Sequence, residues 1–583
     1  MDGGNQKRII GVFYLLLLGF LGLAGHMAYI MVYRHDFYAA RAVSQQSQRV
    51  PMEIPLRGDI LDRRLNPLTG LREEDRLVVF PAAMADRPAV VRQLAQIMGV
   101  KEQAVNNVLG IKPRVLPFTI TPGQAGQLKA ARLPGVLVGR YRQRNGVPDL
   151  AAHVLGYVGK VSAGQEIRDL QALTADKSYS LGDWVGKMGL ELYYDGDLKG
   201  TAPTRDARAY VDGKGRLIPG LGYKIESGLT DSTRRSLVLT LDKVIQREVE
   251  MVMDEMGITA GAVIVMDPYS GDILAMASRP EYSLAPAATV PAAQDEGIPT
   301  AVYSAVYNGF LDRNTRLFQP GSIFKVVVAA AALEEGVAQP ESRFLCLGEK
   351  DDYVRCYEPA GHGLLDFNQA MAVSCNPTFA RLGLKLGAEK LIDYARRFGM
   401  DKQGIIGYPY PPDRRQQLDA IAGPYNLVNS SLGQGPVLAS PVQVTAMMAA
   451  IADNGIYKEP RLVKKIIDYT GTTVRSFPAG PGRKAVSEET AGKLRLMLET
   501  VTLYGTGRGA YVGDGGSAGK TGSAQSGAAG TSVDAWFSGY APVKNPRYVV
   551  TVMIERGESG GKTAAPVFKA IMERILAFPP ASD

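Results

Sequence analysis

The sequence predicts an α+β protein: an antiparallel sheet with helices gathered against it, preceded by a second folded domain and a membrane-spanning helix. Three observations predict this. First, Leu237 to Asp242 reads as a strand and Val244 to Met256 as an amphipathic helix, and two apolar runs between Gly261 and Ser278, joined at Asp267-Pro-Tyr-Ser-Gly271, read as a β-hairpin. A helix and hairpin ahead of a mostly helical middle favour segregated helices on an antiparallel sheet. Second, Ile9 to Val32 is an uninterrupted apolar stretch about long enough to cross a bilayer. Third, 583 residues with 46% hydrophobic content exceed what one ordinary core accommodates, so two or three domains are expected.

Taken in order, residues 1–8 form a short tail carrying Lys7 and Arg8, and residues 9–32 the transmembrane helix. The basic pair favours a cytoplasmic N-terminus and a single pass, which leaves the remaining chain outside the cytoplasm. A cleaved signal peptide with Gly22-Leu23-Ala24 as its small-residue site is the competing reading, but the apolar run continues past Ala24. The formal charge of +8 is modest and dispersed. No basic run is interleaved with aromatics, which argues against nucleic-acid binding and leaves attraction to an anionic envelope.

Residues 40–225 form the second domain. Arg57-Gly-Asp-Ile-Leu-Asp-Arg63 reads as a tight turn at Gly58 held by charge pairs among Arg57, Asp59, Asp62 and Arg63. Pro88 to Met98 and Gln124 to Ala131 carry helical patterns, while His153 to Gly159 and Gly189 to Gly200 lack catalytic spacing and look structural. A polar, turn-rich segment from 226 to 235 marks the boundary, and the main domain occupies 236–578.

The chemistry sits in three places. Gln319-Pro-Gly-Ser322-Ile-Phe-Lys325 opens a helix, apolar on nearly all sides, that runs to Gly336, so Ser322 and Lys325 share a face one turn apart. Burial in that apolar setting would lower the lysine's pKa enough for it to act as base toward the serine. A lone Ser-x-x-Lys is common by chance, so companions decide. They are Ser374-Cys375-Asn376, at a loop or helix end, and Lys520-Thr521-Gly522-Ser523, in a Gly- and Ser-rich segment. The four histidines, at 26, 35, 153 and 362, are scattered and support neither a zinc site nor a Ser-His-Asp triad, so no metal or cofactor is expected.

On these three motifs in this order, the chain resembles a class B penicillin-binding protein, a membrane-anchored peptidoglycan D,D-transpeptidase. Further likeness lies in Arg57 to Arg63, His153 to Gly159, Gly189 to Gly200, Asp267 to Pro280, Gly433-Gln-Gly435 and Ser538-Gly-Tyr-Ala-Pro542. Asp534 departs from the histidine expected in many relatives. The resemblance implies a serine-acyltransferase fold, a five-stranded antiparallel sheet with a helical lobe, behind an elongated α+β pedestal of the dimerisation type. It also implies that Ser322 attacks a stem peptide and releases terminal D-alanine through Ser374, that backbone N–H groups of Ser322 and Ser523 hold the oxyanion, and that an amine from a neighbouring stem peptide closes the cross-link. Asn376 would then bind the donor's amide, Lys520 would keep Lys325 neutral by repulsion, and Thr521 and Ser523, beside Gly522, would receive the terminal carboxylate. Implied partners are peptidoglycan stem peptides, β-lactam antibiotics, the membrane and a polytopic glycan polymerase.

Alternative functions on the same motifs are a β-lactam sensor, a non-catalytic wall-synthesis scaffold and a D,D-carboxypeptidase. Lys562-Thr563-Ala564 lacks the glycine of the third motif and reads as a decoy. Cys346, Cys356 and Cys375 admit either one disulfide, which could disturb the site through Cys375, or plain thiols.

Overall fold

A computed structural model of the protein describes residues 3–579 apart from 36, 39–46, 70, 145–149, 162–163, 165–167, 170–178, 212–216, 219–221, 283–308, 424 and 527–531. The chain forms two compact units, each discontinuous in sequence: Met1–Ile54 with Arg72–Gln143 and Ala202–Asp231, and Pro55–Leu71 with Arg144–Thr201 and Ser232–Asp583. Residue 40, where the sequence sets the start of the second domain, lies outside the described residues.

The first unit begins with helix α1 (Gly3–Val32), of which Arg8–Val32 is apolar and long enough to span a membrane. Its globular part places α2 (Arg87–Met98) and α3 (Pro122–Ala131) around a core that includes Leu77, Val79, Leu94 and Leu128. Both helices start where the sequence signals a cap. Asp86 accepts the backbone N–H of Ala89, and Thr121 and Gln124 cap each other reciprocally, with proline in the first turn of each helix.

In the second unit, strand β1 (Ser236–Leu239) leads through Asp242, an N-cap, into α4 (Lys243–Glu255). The hairpin follows as β2 (Gly261–Met266) and β3 (Ile273–Arg279), with Asp267 Oδ1 accepting the N–H groups of Tyr269 and Ser270 in its turn. The helical lobe then brings α5 (Lys325–Glu334), α6 (Asn376–Arg397), α7 (Pro441–Ala452) and α8 (Glu488–Leu503). The chain returns to complete the sheet with β4 (Ala518–Ser526), β5 (Ser532–Ala541) and β6 (Tyr548–Ile554), and closes on α9 (Ala565–Leu576). The strand order is β3-β2-β6-β5-β4, antiparallel throughout, as the resemblance implies.

Alternation along the strands divides the core. Val263, Val265, Phe537 and Val552 face α4 and α9, whereas Ile264, Met266, Trp536 and Tyr540 face α5 and α7. Both faces are covered, which is why β2 and β6 read as continuous apolar runs although the sheet is antiparallel. Strand β4 forms the sheet's edge on the side of the helical lobe's first turn.

The Arg57 to Arg63 segment corrects its sequence reading. It is not a turn held by its own charges: Arg57 is buried and donates to Glu191 Oε2 (2.9 Å) and Asp195 Oδ1 (2.6 Å), and Asp62 accepts backbone N–H groups of Arg64, Asn66 and Lys243. Gly58 is required by close approach, because a Cβ there would sit 1.7 Å from the carbonyl oxygen of Arg235. Ile60–Leu61 then pairs in parallel with Leu237 and Val238 of β1. Replacing Arg57 by methionine would remove the cation that two buried carboxylates share, leaving Glu191 to Arg144 and Asp195 to the Tyr179 hydroxyl and the Gly186 N–H. We expect a loss of on the order of 3–5 kcal/mol, read as a lower denaturant midpoint. An unchanged midpoint would mean that the pair adds nothing to the fold.

Candidate active site

The apolar sequence after Ser322 makes α5, whose residues from Lys325 to Leu333 are all buried. The helix does not begin at Ser322 as expected. Gly321–Phe324 is a 3₁₀ turn, and the α-helical part starts at Lys325. In 3₁₀ geometry residues three apart eclipse one another, so the tighter turn still sets Ser322 and Lys325 on one side. Gly522 lets β4 come against this turn, since a Cβ there would lie 2.6 Å from the carbonyl oxygen of Pro320.

Ser374-Cys375-Asn376 spans the break between the short helix Phe367–Ala372 and α6, as the proline after it suggests. Ser374 has φ of 54°, a left-handed backbone uncommon for a residue with a side chain. That conformation turns both its carbonyl and its hydroxyl toward the lysine. Lys325 Nζ donates to Ser374 O (2.8 Å), Ser374 Oγ (3.2 Å) and Asn376 Oδ1 (2.7 Å), and it lies 5.3 Å from the centroid of the Phe379 ring.

Lys325 is fully buried, and desolvation pushes its pKa down to about 7, against a smaller upward pull from Cys375 and Cys356. Lys520 is also buried and is held well below its ordinary value, first by desolvation and then by the charge of Lys325. Desolvation is the leading cause at both lysines, and the repulsion between them disfavours charging both at once.

Ser322, Ser374, Asn376, Thr521 and Ser523 line one cleft of about 670 Å³. Lys520 lies beneath it, its Nζ donating to Thr521 O at 3.2 Å. Gly522 contributes backbone only. Thr521 Oγ1 is 2.7 Å from Thr506 Oγ1, and Ser523 Oγ accepts the N–H of Gly560 at 3.0 Å.

Sequence reasoning missed part of the wall. Thr506, Arg508 and Tyr357 also line the cleft, and none belongs to a motif that spacing alone reveals, whereas Gln434 reaches it from the Gly433-Gln-Gly435 segment already singled out. Tyr357 donates its hydroxyl to Val373 O at 2.6 Å, next to the Ser374 triplet. Lys562, read as a decoy, stands on the rim in a π-helical turn (Gly560–Ala564), paired with Glu558. Asp534 is buried beside the cleft strand, its carboxyl raised by desolvation and stabilised by the Ser526 hydroxyl at 2.9 Å. All three cysteines are free thiols.

Known proteins resemble this chain in sequence and fold. Residues 261–573 match the family described as penicillin binding protein transpeptidase domain, and residues 53–221 match the penicillin-binding protein dimerisation domain. Stage V sporulation protein D of Bacillus subtilis (strain 168) is 29% identical over 98% of this chain and 85% of its own length. Peptidoglycan D,D-transpeptidase MrdA of Salmonella typhimurium (strain SL1344) is 25% identical over 99% and 96%. A solved chain from a peptidoglycan synthase complex superposes with a TM-score of 0.69 over all of both chains at 24% identity, a likeness of fold. With the transpeptidase match alone covering more than half of its residues, the chain belongs to the class B penicillin-binding proteins.

Proposed function

We infer that the protein is a peptidoglycan D,D-transpeptidase, and the observation that carries this is a buried lysine, pKa near 7, under a cleft that also holds a serine one turn away. Neutral Lys325 takes the proton of Ser322 as its oxygen attacks the carbonyl between the two terminal D-alanines. The backbone N–H groups of Ser322 and Ser523 hold the oxyanion. The carbon–nitrogen bond then breaks, and the proton passes from Lys325 through Ser374 to the departing amine. An acceptor amine from a second stem peptide attacks the acyl-enzyme, and Ser322 regains its proton. Asn376 binds the donor's amide, and the hydroxyls of Thr521, paired with Thr506, and of Ser523 receive its terminal carboxylate. A β-lactam carbonyl follows the same first step and stays attached.

Helix α1 serves as a single-pass anchor with the N-terminus in the cytoplasm and the catalytic unit outside, which Lys7 and Arg8 favour. A membrane-embedded glycan polymerase is the proposed partner, a reading supported by the assembly in which the fold-related synthase chain was solved. A sensor or scaffold would accept a β-lactam at Ser322 yet make no cross-links, and a carboxypeptidase would release D-alanine without joining chains. Incubation of the purified protein with nascent glycan, followed by muropeptide analysis, separates these. Cross-linked dimers that vanish with a β-lactam are expected. D-Alanine release without dimers would overturn the transpeptidase reading.

A further inference from the structure

Around Cys375 of the Ser374 triplet, four metal-ligating side chains converge from three separate segments. Cys346 ends the strand Arg343–Cys346, Cys356 and His362 lie in the loop that follows, and Cys375 is the middle residue of the triplet. Their ligand atoms all lie within 4.8 Å of one another. His362 Nδ1 is 3.5 Å from Cys346 Sγ and 3.5 Å from Cys356 Sγ. A tetrahedral zinc ion with sulfur at about 2.3 Å and nitrogen at about 2.0–2.1 Å needs sulfur–nitrogen edges of about 3.5 Å. Two of the sulfur–nitrogen edges already have that length, and the remaining ligand atoms lie within 4.8 Å. Scattered in sequence, the histidines gave no hint of it; the fold brings one of them to three thiols.

A plain apolar cluster is the competing explanation, since buried thiols behave as small hydrophobes and Ala370 packs among them. Two features count against it. An apolar cluster gives no reason for a ring nitrogen to point at two sulfurs. The loop from 347 to 362 also has almost no core of its own: Leu347, Tyr353 and Tyr357 are exposed, and the chain folds back tightly at Gly348 and Gly361. A loop of that length with so little buried apolar surface calls for a cross-link.

We propose that Cys346, Cys356, His362 and Cys375 bind one zinc ion as a closed structural site that fastens this loop to the Ser374–Asn376 triplet. Three thiolates and an imidazole at tetrahedral spacing select a thiophilic divalent cation, and with four protein ligands no position is open for Lewis-acid chemistry. Binding releases the remaining thiol protons to solvent and transfers no electrons. Cys375 is flanked by the two residues that accept from Lys325, and Cys356 is followed by Tyr357, the cleft-wall residue bonded to Val373. The ion would therefore hold both the triplet and that wall in place. Zinc binding stands apart from the acyl-transfer reading, whereas its effect on acylation rests on it.

The test uses the full chain in detergent, purified under reductant without chelator. Elemental analysis should find one zinc per chain in wild type and equally in Ser322→Ala, and loss in Cys346→Ala and His362→Ala. Cobalt exchange should give the intense visible bands of a tetrahedral thiolate site. In wild type, a strong chelator should make three thiols reactive, lower the melting temperature and slow β-lactam acylation, with zinc restoring all three. This last arm does not depend on any variant folding. A Cys–Cys disulfide by mass in the protein as purified, zinc retained in full by Cys346→Ala and His362→Ala, or a pale octahedral cobalt spectrum would each overturn the proposal.

Discussion

Ser322→Ala will take up no β-lactam. Removing a nucleophile that acts as one unit with its base costs about 10⁴-fold or more in rate, so intact-mass spectra that show complete acylation of wild type should show bare protein for the variant. Of the other hydroxyls in the cleft, those of Ser374 and Ser523 belong to the two companion motifs, and each is committed elsewhere. Ser374 Oγ accepts from Lys325 Nζ, and Ser523 Oγ accepts from Gly560 N. Peptide mapping makes the result specific. An adduct on Ser374 or Ser523, in wild type or variant, would move the nucleophile and dismantle the proton path drawn from Ser322.

Lys325→Met is expected to lower the acylation rate by on the order of 10³-fold, within the range for loss of a positioned base, without a loss of fold. The sign of the pH dependence follows from the lowered pKa. Only the neutral amine can accept a proton, so the wild-type rate should rise about tenfold per unit below pH 7 and level off above it. The methionine variant should be flat across that range. Stability moves with pH in the same direction, because between about pH 7 and the ordinary lysine value the unfolded chain binds the proton and the folded chain does not. Stability therefore rises with pH through that window in wild type, and the slope should shrink in the variant. A wild-type rate with no inflection between pH 6 and 8 would remove Lys325 as the base.

Much of the site was legible because acyl transfer needs particular residue types at fixed spacings. Ser-x-x-Lys is a statement about one helical turn, and Ser-Cys-Asn before Pro377 is a statement about a helix boundary, so local sequence carries both. The α4 helix and the β2–β3 hairpin were legible for the same reason. What sequence could not carry was anything assembled across distance. Arg57 pairs with residues at 191 and 195, where adjacency in the chain suggested partners at 59 and 62. Thr506, Arg508 and Tyr357 reach the cleft from loops with no periodic pattern. His362 looked isolated until its three cysteine neighbours were placed beside it. The 3₁₀ start of α5 was hidden too, since Gly-Ser-Ile-Phe has the same composition in either helical form.

Among the described residues strand β4 has a sheet neighbour on one side only, and Thr521 and Ser523 on it line the cleft. Alternate N–H and C=O groups along its other margin can bond an extended peptide main chain to main chain, in the manner of an added strand. Recognition of that sort is blind to the ligand's side chains and is hard to abolish by point substitution. Resistance to an acylating inhibitor would then have to arise in cleft side chains off that strand, among them Tyr357, Gln434 and Arg508.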